Sequence, residues 1–298
     1  MRTRQTAPKK VPPHIAGQAL ANLTPVDVEL LLRLYDLRYV RTATLARLLY
    51  PDRSDMWVWQ RLRELSLRGL IANLKIREGR SFYAYWHLDE VGLRAAEELQ
   101  GIPPEERTAI RDWRVSATYA RHFADAADFY AAVASQSWLG FTWLNHRTAY
   151  EYGTRTDHRG REVPALLHPD ATILLTWMLS DHSQQGTWTF YVEIDRSSMP
   201  LKIMGEKFDK YVGRFTQLMP WDAKYKSNSY ANGKWKGNLD VGHYLLILCR
   251  SEARAQNLQQ LIDERRLPGR AVATSEEAIQ MLFGQLPRWW AQHLRKDS

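Results

Sequence analysis

Between Thr24 and Leu99 the apolar residues keep helical spacing over three short stretches, change to strand-like runs, and return to helical spacing. This alternation constrains the fold more than any other feature of the chain. Thr24-Pro25-Val26-Asp27 has the form of a helix start, with a hydroxyl at the N-cap, proline in the first turn and an acid behind it. Leu30, Leu31, Leu34 and Leu37 follow at helical spacing, which predicts a helix to about Tyr39. A second, short helix carries Leu45, Leu48 and Leu49 and stops at Pro51. A third opens near Ser54, aligns Val58, Leu62 and Leu65 in one stripe, and ends at Gly69. Leu70-Ile71-Ala72 and Ser81–Leu88 then flank Glu78-Gly79-Arg80 as the strands of a hairpin would, and Asp89 caps a fourth helix to Leu99.

Charge singles out the same segment. The chain has 41 Lys and Arg against 33 Asp and Glu over 298 residues, and residues 1–88 hold 15 and 7 of them. The other 26 of each sign cancel, so the whole formal excess of +8 lies in residues 1–88, with four of its basic residues in the arm before Thr24. A module of that kind suits a polyanion, although a solvated basic surface has the same composition. Three short helices, a hairpin and a helix make the order of a winged helix. Gln60-Arg61-Leu62-Arg63-Glu64-Leu65 followed by Arg68-Gly69-Leu70-Ile71 resembles the third helix and first wing strand of winged helix-turn-helix proteins. Gln60, Arg63, Glu64 and Leu67 lie opposite the apolar stripe, with Trp57, Arg61 and Arg68 flanking them. The resemblance implies that this helix enters the major groove of double-stranded DNA and that the wing lies along phosphates. The expected DNA contacts are Trp57, Gln60, Arg61, Arg63, Arg68, Arg77 and Arg80, because arginine reads guanine, glutamine reads adenine, and the wing arginines suit phosphate. The alternative leaves these positions solvated, on a helix packed against another protein.

Residues 1–22 read as a flexible basic arm and 23–100 as the winged helix, with 101–112, which opens Gly101-Ile102-Pro103-Pro104, as a linker. The second domain, 113–298, opens with a helix over Tyr119–Ser135. An aromatic-rich strand ends near Tyr150, and Gly153–Glu162 reads as a hairpin or loop. Apolar segments follow at Ala165–Trp177, Thr187–Ile194 and His243–Cys249, with helices at Leu201–Phe215 and Glu252–Arg266. The expected class is α+β, the second domain an α/β unit with a mixed sheet flanked by helices. Neither a glycine-rich phosphate loop nor a G-x-S-x-G elbow is present, which disfavours a nucleotide-hydrolysing motor and an α/β-hydrolase.

Acids embedded in strands are the sharpest signal in this domain. Asp170 follows Pro169 within an apolar stretch, and Glu193 and Asp195 end Phe190-Tyr191-Val192-Glu193-Ile194-Asp195 on one face of the strand. If the two strands are neighbours, three carboxylates converge and require a cation, basic side chains or water. Magnesium or manganese is the natural candidate, held by Asp170, Glu193 and Asp195. The structural alternative makes Asp170 a turn residue and Asp195 the polar end of a strand. The pattern resembles the PD-(D/E)xK nuclease superfamily, which implies two metal-holding acids at Asp170 and Glu193 and a lysine two residues on. Asp195 stands where that lysine belongs, and Lys207 or Lys210 on the next helix is the expected replacement. The candidate catalytic set is therefore Asp170, Glu193, Asp195, Lys207 and Lys210.

The full order resembles a narrower family. A winged helix, Arg121-His122, His168-Pro169-Asp170-Ala171, Val192-Glu193-Ile194-Asp195-Arg196 and Lys207 to Tyr211 are similar to bacterial replication-relaxation proteins of plasmids and integrative elements. That resemblance implies a role in replication, or in relaxing or nicking element DNA, and leaves open a regulator whose α/β domain dimerises or binds a partner. From Lys202 to Lys236 a second basic stretch interleaves Tyr211, Trp221, Tyr225, Tyr230 and Trp235, which suits single-stranded or nicked DNA as well as a solvated loop. The lone Cys249 lies in the longest apolar run, too short to span a membrane, and reads as an inert core residue. The expected location is the cytoplasm, with a homodimer as a further expectation.

Overall fold

The computed structural model describes residues 23–136, 141–145, 151–156, 161–178, 185–197, 199–218 and 241–284. The basic arm at 1–22 and most of the second basic stretch, including Trp221, Tyr225, Tyr230, Trp235 and Lys224 to Lys236, lie outside them. The fold is α+β, and the chain forms two compact units, Met1–Ala131 and Ala132–Ser298. Among the described residues no helix is long and apolar enough to cross a membrane.

The first unit runs α1 (Pro25–Leu37), β1 (Val40–Arg41), α2 (Thr42–Leu49), α3 (Asp55–Leu67), β2 (Ile71–Glu78), β3 (Ser81–Leu88), α4 (Glu90–Leu99), a 3-10 turn at Pro104–Glu106, α5 (Ile110–Trp113) and α6 (Ala117–Ala134), within which the division between units falls. Helix α1 opens with the expected cap, a reciprocal box in which Thr24 and Asp27 bond each other's backbone N–H. It ends two residues before Tyr39, because Arg38 turns to a φ of 63° and Val40–Arg41 pair with Tyr85 and Trp86 instead. Ser54 caps α3, and Val58, Leu62 and Leu65 are fully buried as the stripe requires. The hairpin is in register from Ile71 with Leu88 to Glu78 with Ser81, turning at Gly79 with a φ of 61°. Helix α4 approaches the hairpin base so closely that a Cβ at Gly92 would lie 1.8 Å from the Leu70 carbonyl oxygen. Residues 101–112, expected as a connector, include the 3-10 turn and the start of α5. Trp113, the last residue of α5, is fully buried and stacked on Tyr35 with ring centroids 5.6 Å apart.

The second unit contains β4 (Phe141–Asn145), β5 (Glu151–Thr156), β6 (Glu162–Leu167), β7 (Ala171–Met178), β8 (Gln185–Asp195), α7 (Leu201–Leu218), β9 (Val241–Cys249), α8 (Glu252–Glu264), β10 (Gly269–Val272) and α9 (Ser275–Gly284). Its five-stranded sheet has the order β10-β9-β8-β7-β4, with β8, β9 and β10 parallel and β7 and β4 antiparallel. The apolar stretch expected as one segment is two strands: β6 pairs with β5 in a separate ribbon, and β7 joins the main sheet. The break falls at His168-Pro169-Asp170, where Pro169 has no N–H to give a ladder. Helices α7 and α8 cover the sheet face that carries Tyr191, Leu245 and Ile247, and contribute Phe208, Tyr211, Leu258 and Ile262 to that core. Cys249 lies in the same cluster, its thiol pushed up to about 12 by burial and by Asp195.

Candidate nucleic-acid interface and carboxylate site

On α3 the buried stripe turns Gln60 and Arg63 outward, and both are exposed. The Arg63 guanidinium lies 5.6 Å from the centroid of the exposed Trp59 ring, and Arg53 lies 5.2 Å from that of Trp57. Arg68 is also exposed. Arg61 differs from these. Its Nε and Nη2 grip both carboxylate oxygens of Asp27, which is 1% exposed, and its Nη1 meets Glu64 at 2.8 Å. Burial pushes the Asp27 carboxyl up, but Arg61 and the Thr24 donors outweigh it and hold the group below its ordinary value. Arg61 therefore ties α3 to the start of α1, and its fork is already committed within the protein. Asp27, Tyr50, Arg53, Trp57, Gln60 and Arg61 are among the residues lining a cleft of about 510 Å³ at this junction.

The hairpin presents two unlike faces. Ile76 and Tyr85 turn inward to a core with Tyr39, Ala120 and Ala124. On the opposite face Asn73, Lys75 and Arg77 are exposed, across the strands from Trp86, Ala84 and Phe82, and the Phe82 ring is 70% exposed. Trp86 donates its indole N–H to Thr42 Oγ1 at 2.9 Å, so this face is on the side of the sheet that adjoins the start of α2. The inner face braces the hairpin. Glu78 accepts a hydrogen bond from the Tyr85 hydroxyl and pairs with Arg121 of α6 at 3.5 Å, and Arg121 donates to the Arg77 carbonyl at 2.6 Å. Arg41, from β1, meets Asp125 at 2.7 Å and also pairs with Asp128 on the same helix. The expected wing residues Arg77 and Arg80 are exposed, while Lys75 and Phe82 were not anticipated. Alternation along β2 was the available signal for Lys75, since it shares a face with Arg77.

In the second unit the Asp170 N–H donates to the Val192 carbonyl at 3.0 Å, and Asp170 Oδ2 accepts from the Ile194 N–H at 2.7 Å. Asp170 lies just before β7, whose register with β8 begins at Ala171 opposite Val192, and these bonds tie it to β8 on either side of Glu193. Glu193 is 2% exposed, and its two oxygens accept from the Lys207 ammonium and the Tyr211 hydroxyl. Lys207 and Tyr211 are four residues apart on α7, so one helical face delivers both donors. Burial pushes the Glu193 carboxyl up to about 7, helped by Asp170 and opposed by Lys207. Burial alone would lower the Lys207 ammonium, but Glu193 and Asp170 outweigh it and keep the lysine charged above its ordinary value. Lys210 is partly buried, and among the described residues it forms no ion pair with these acids.

Asp195 takes a separate partner. Arg254, in the first turn of α8, donates to its Oδ2 at 2.8 Å and its Oδ1 at 3.2 Å, and to the Met199 carbonyl at 2.6 Å. No local pattern announces a partner 59 residues away, whereas the spacing of Lys207 and Tyr211 did offer a signal for the tyrosine. Among the described residues no three acids, histidines or cysteines converge as a metal site. A family model described as replication-relaxation matches residues 31–226. No curated protein and no solved structure matches the chain.

Proposed function

The chain belongs to the replication-relaxation family, and on that premise we propose that it is a DNA-binding protein of a plasmid or integrative element whose first unit is a winged helix holding double-stranded DNA. The observation that carries this reading is the exposed basic face of the hairpin, Lys75 and Arg77 with Arg80 at its tip, within the first 88 residues, which hold 15 Lys and Arg against 7 Asp and Glu. Gln60 and Arg63 read base edges from α3, and Arg68, Lys75, Arg77 and Arg80 contact phosphates. Arg61 holds the helix in place. Electrophoretic mobility shifts with a library of duplexes test this assignment. Arg63→Ala is expected to weaken binding and relax sequence preference, and full-strength, equally selective binding by that variant would contradict it.

The second unit is read as PD-(D/E)xK-like. Asp170, at the start of β7, is hydrogen-bonded to the residues on either side of Glu193, and Lys207 occupies the role of the pattern's lysine from the following helix. A magnesium or manganese ion needs several oxygen donors with free lone pairs. Both oxygens of Glu193 already accept hydrogen bonds, and Asp195 is gripped by Arg254. As folded, the set is an ion-paired carboxylate site that does not fit such an ion, and no cleavage step follows from it. The unit is then a nuclease-like fold that docks on DNA or a partner without cutting. Supercoiled plasmid incubated with the protein and either metal is expected to stay supercoiled. Nicking by the wild type that disappears in Asp170→Ala, Glu193→Ala and Lys207→Ala would establish a metal-dependent endonuclease instead.

A further inference from the structure

We infer that the hairpin of the first unit carries a stacking site for an unpaired DNA base, with the Phe82 ring as its platform. This inference rests on the proposed DNA-binding reading and specifies the form of DNA that the wing prefers. An isolated exposed apolar residue is ordinary on a protein surface, so exposure of Phe82 alone says little. Its surroundings narrow the chemistry. The ring is 70% exposed directly across the ladder from Arg77, two residues from Arg80 at the tip and on the same face as Lys75. Those cations suit phosphates on either side of a nucleotide, while the ring offers the base a flat apolar partner, the combination found in sequence-tolerant recognition of single strands. The hairpin is also braced. Arg121 donates to the Arg77 carbonyl, and Glu78 ties Tyr85 and Arg121 together on the opposite face. A braced two-stranded ribbon with an exposed ring near its tip can enter an opened base step without itself folding on contact.

The test uses the full chain and three fluorescent probes of one sequence: a matched duplex, the same duplex with a short central bubble, and the single strand. The wild type is expected to bind the bubble roughly tenfold more tightly than the matched duplex. Phe82→Ala is expected to reduce that ratio to about one with matched-duplex affinity within about twofold, and Phe82→Trp to retain the preference. Because the ring is exposed, a folded Phe82→Ala protein is expected, and circular dichroism verifies it. A bubble preference unchanged in Phe82→Ala, or wild-type binding that does not distinguish the bubble from the duplex, would overturn the inference while leaving duplex binding intact. Tight binding to the bubble and single strand without binding to the duplex would overturn the duplex reading and keep the stacking site. No binding to any probe would remove both.

Discussion

Glu193 is an acid with almost no contact with water, held between an ammonium and a phenol. Its raised pKa means that the folded protein binds this proton more tightly than the unfolded chain does. The associated stability is present below the ordinary value of 4.5 and is lost as pH rises through about 7. Glu193→Gln removes the titration. Urea midpoints between about pH 5 and pH 8 are expected to fall more steeply for the wild type than for the variant, by on the order of 3 kcal/mol at most. Parallel pH profiles would show that Lys207 fully offsets the burial. Arg61 is the second decisive residue. Removing it leaves the buried Asp27 with the Thr24 donors alone, so Arg61→Ala is expected to lower stability by about 3 kcal/mol. Arg63→Ala, on the exposed side of the same helix, should change stability by less than about 0.5 kcal/mol. Thermal denaturation of the two single variants separates a residue that holds α3 from one on its exposed face that is proposed to meet DNA.

The elements differ in how openly the sequence announces them. Helices α1 to α4 and the hairpin are legible because each has a local cause, whether a cap, a breaking proline or glycine, or a clear period. Strand β10 and helix α9 escaped the reading, since four residues ending in Ala271-Val272 carry too little periodicity and owe their strand to pairing with β9. The split between β6 and β7 was signalled by Pro169, yet the apolar run on both sides concealed it. At the candidate site, the nearness of Asp170 to Glu193 followed from the adjacency of β7 and β8, whereas the diversion of Asp195 to Arg254 depends on where α8 docks. Docking also governs α4. Gly92→Ala places a methyl against the Leu70 backbone, which has no flexible side chain to yield, and is expected to cost about 2 kcal/mol or more by displacing α4 from the hairpin base. Unchanged stability in chemical denaturation would mean that the two elements separate easily.

For the whole molecule, net charge is a poor guide until it is assigned to residues. The excess of +8 lies in residues 1–88, and the exposed hairpin face shows where three of those cations gather. Among the described residues of the second unit Lys207 pairs with Glu193, Arg254 with Asp195, and Arg265 with Asp209 at 2.8 Å. The family match from 31 to 226 extends across both units, which joins a basic module to an ion-paired carboxylate site in one protein of replication and relaxation. The central claim is that the hairpin face meets the phosphates of duplex DNA. The most direct measurement is equilibrium binding of the full chain to a matched duplex over a range of salt concentrations, wild type against the combined Lys75→Ala, Arg77→Ala and Arg80→Ala variant. The account predicts that log affinity falls linearly with log salt and that the variant's slope is shallower by about 2.7, one released counterion for each lost contact. An identical slope in the two proteins would contradict it.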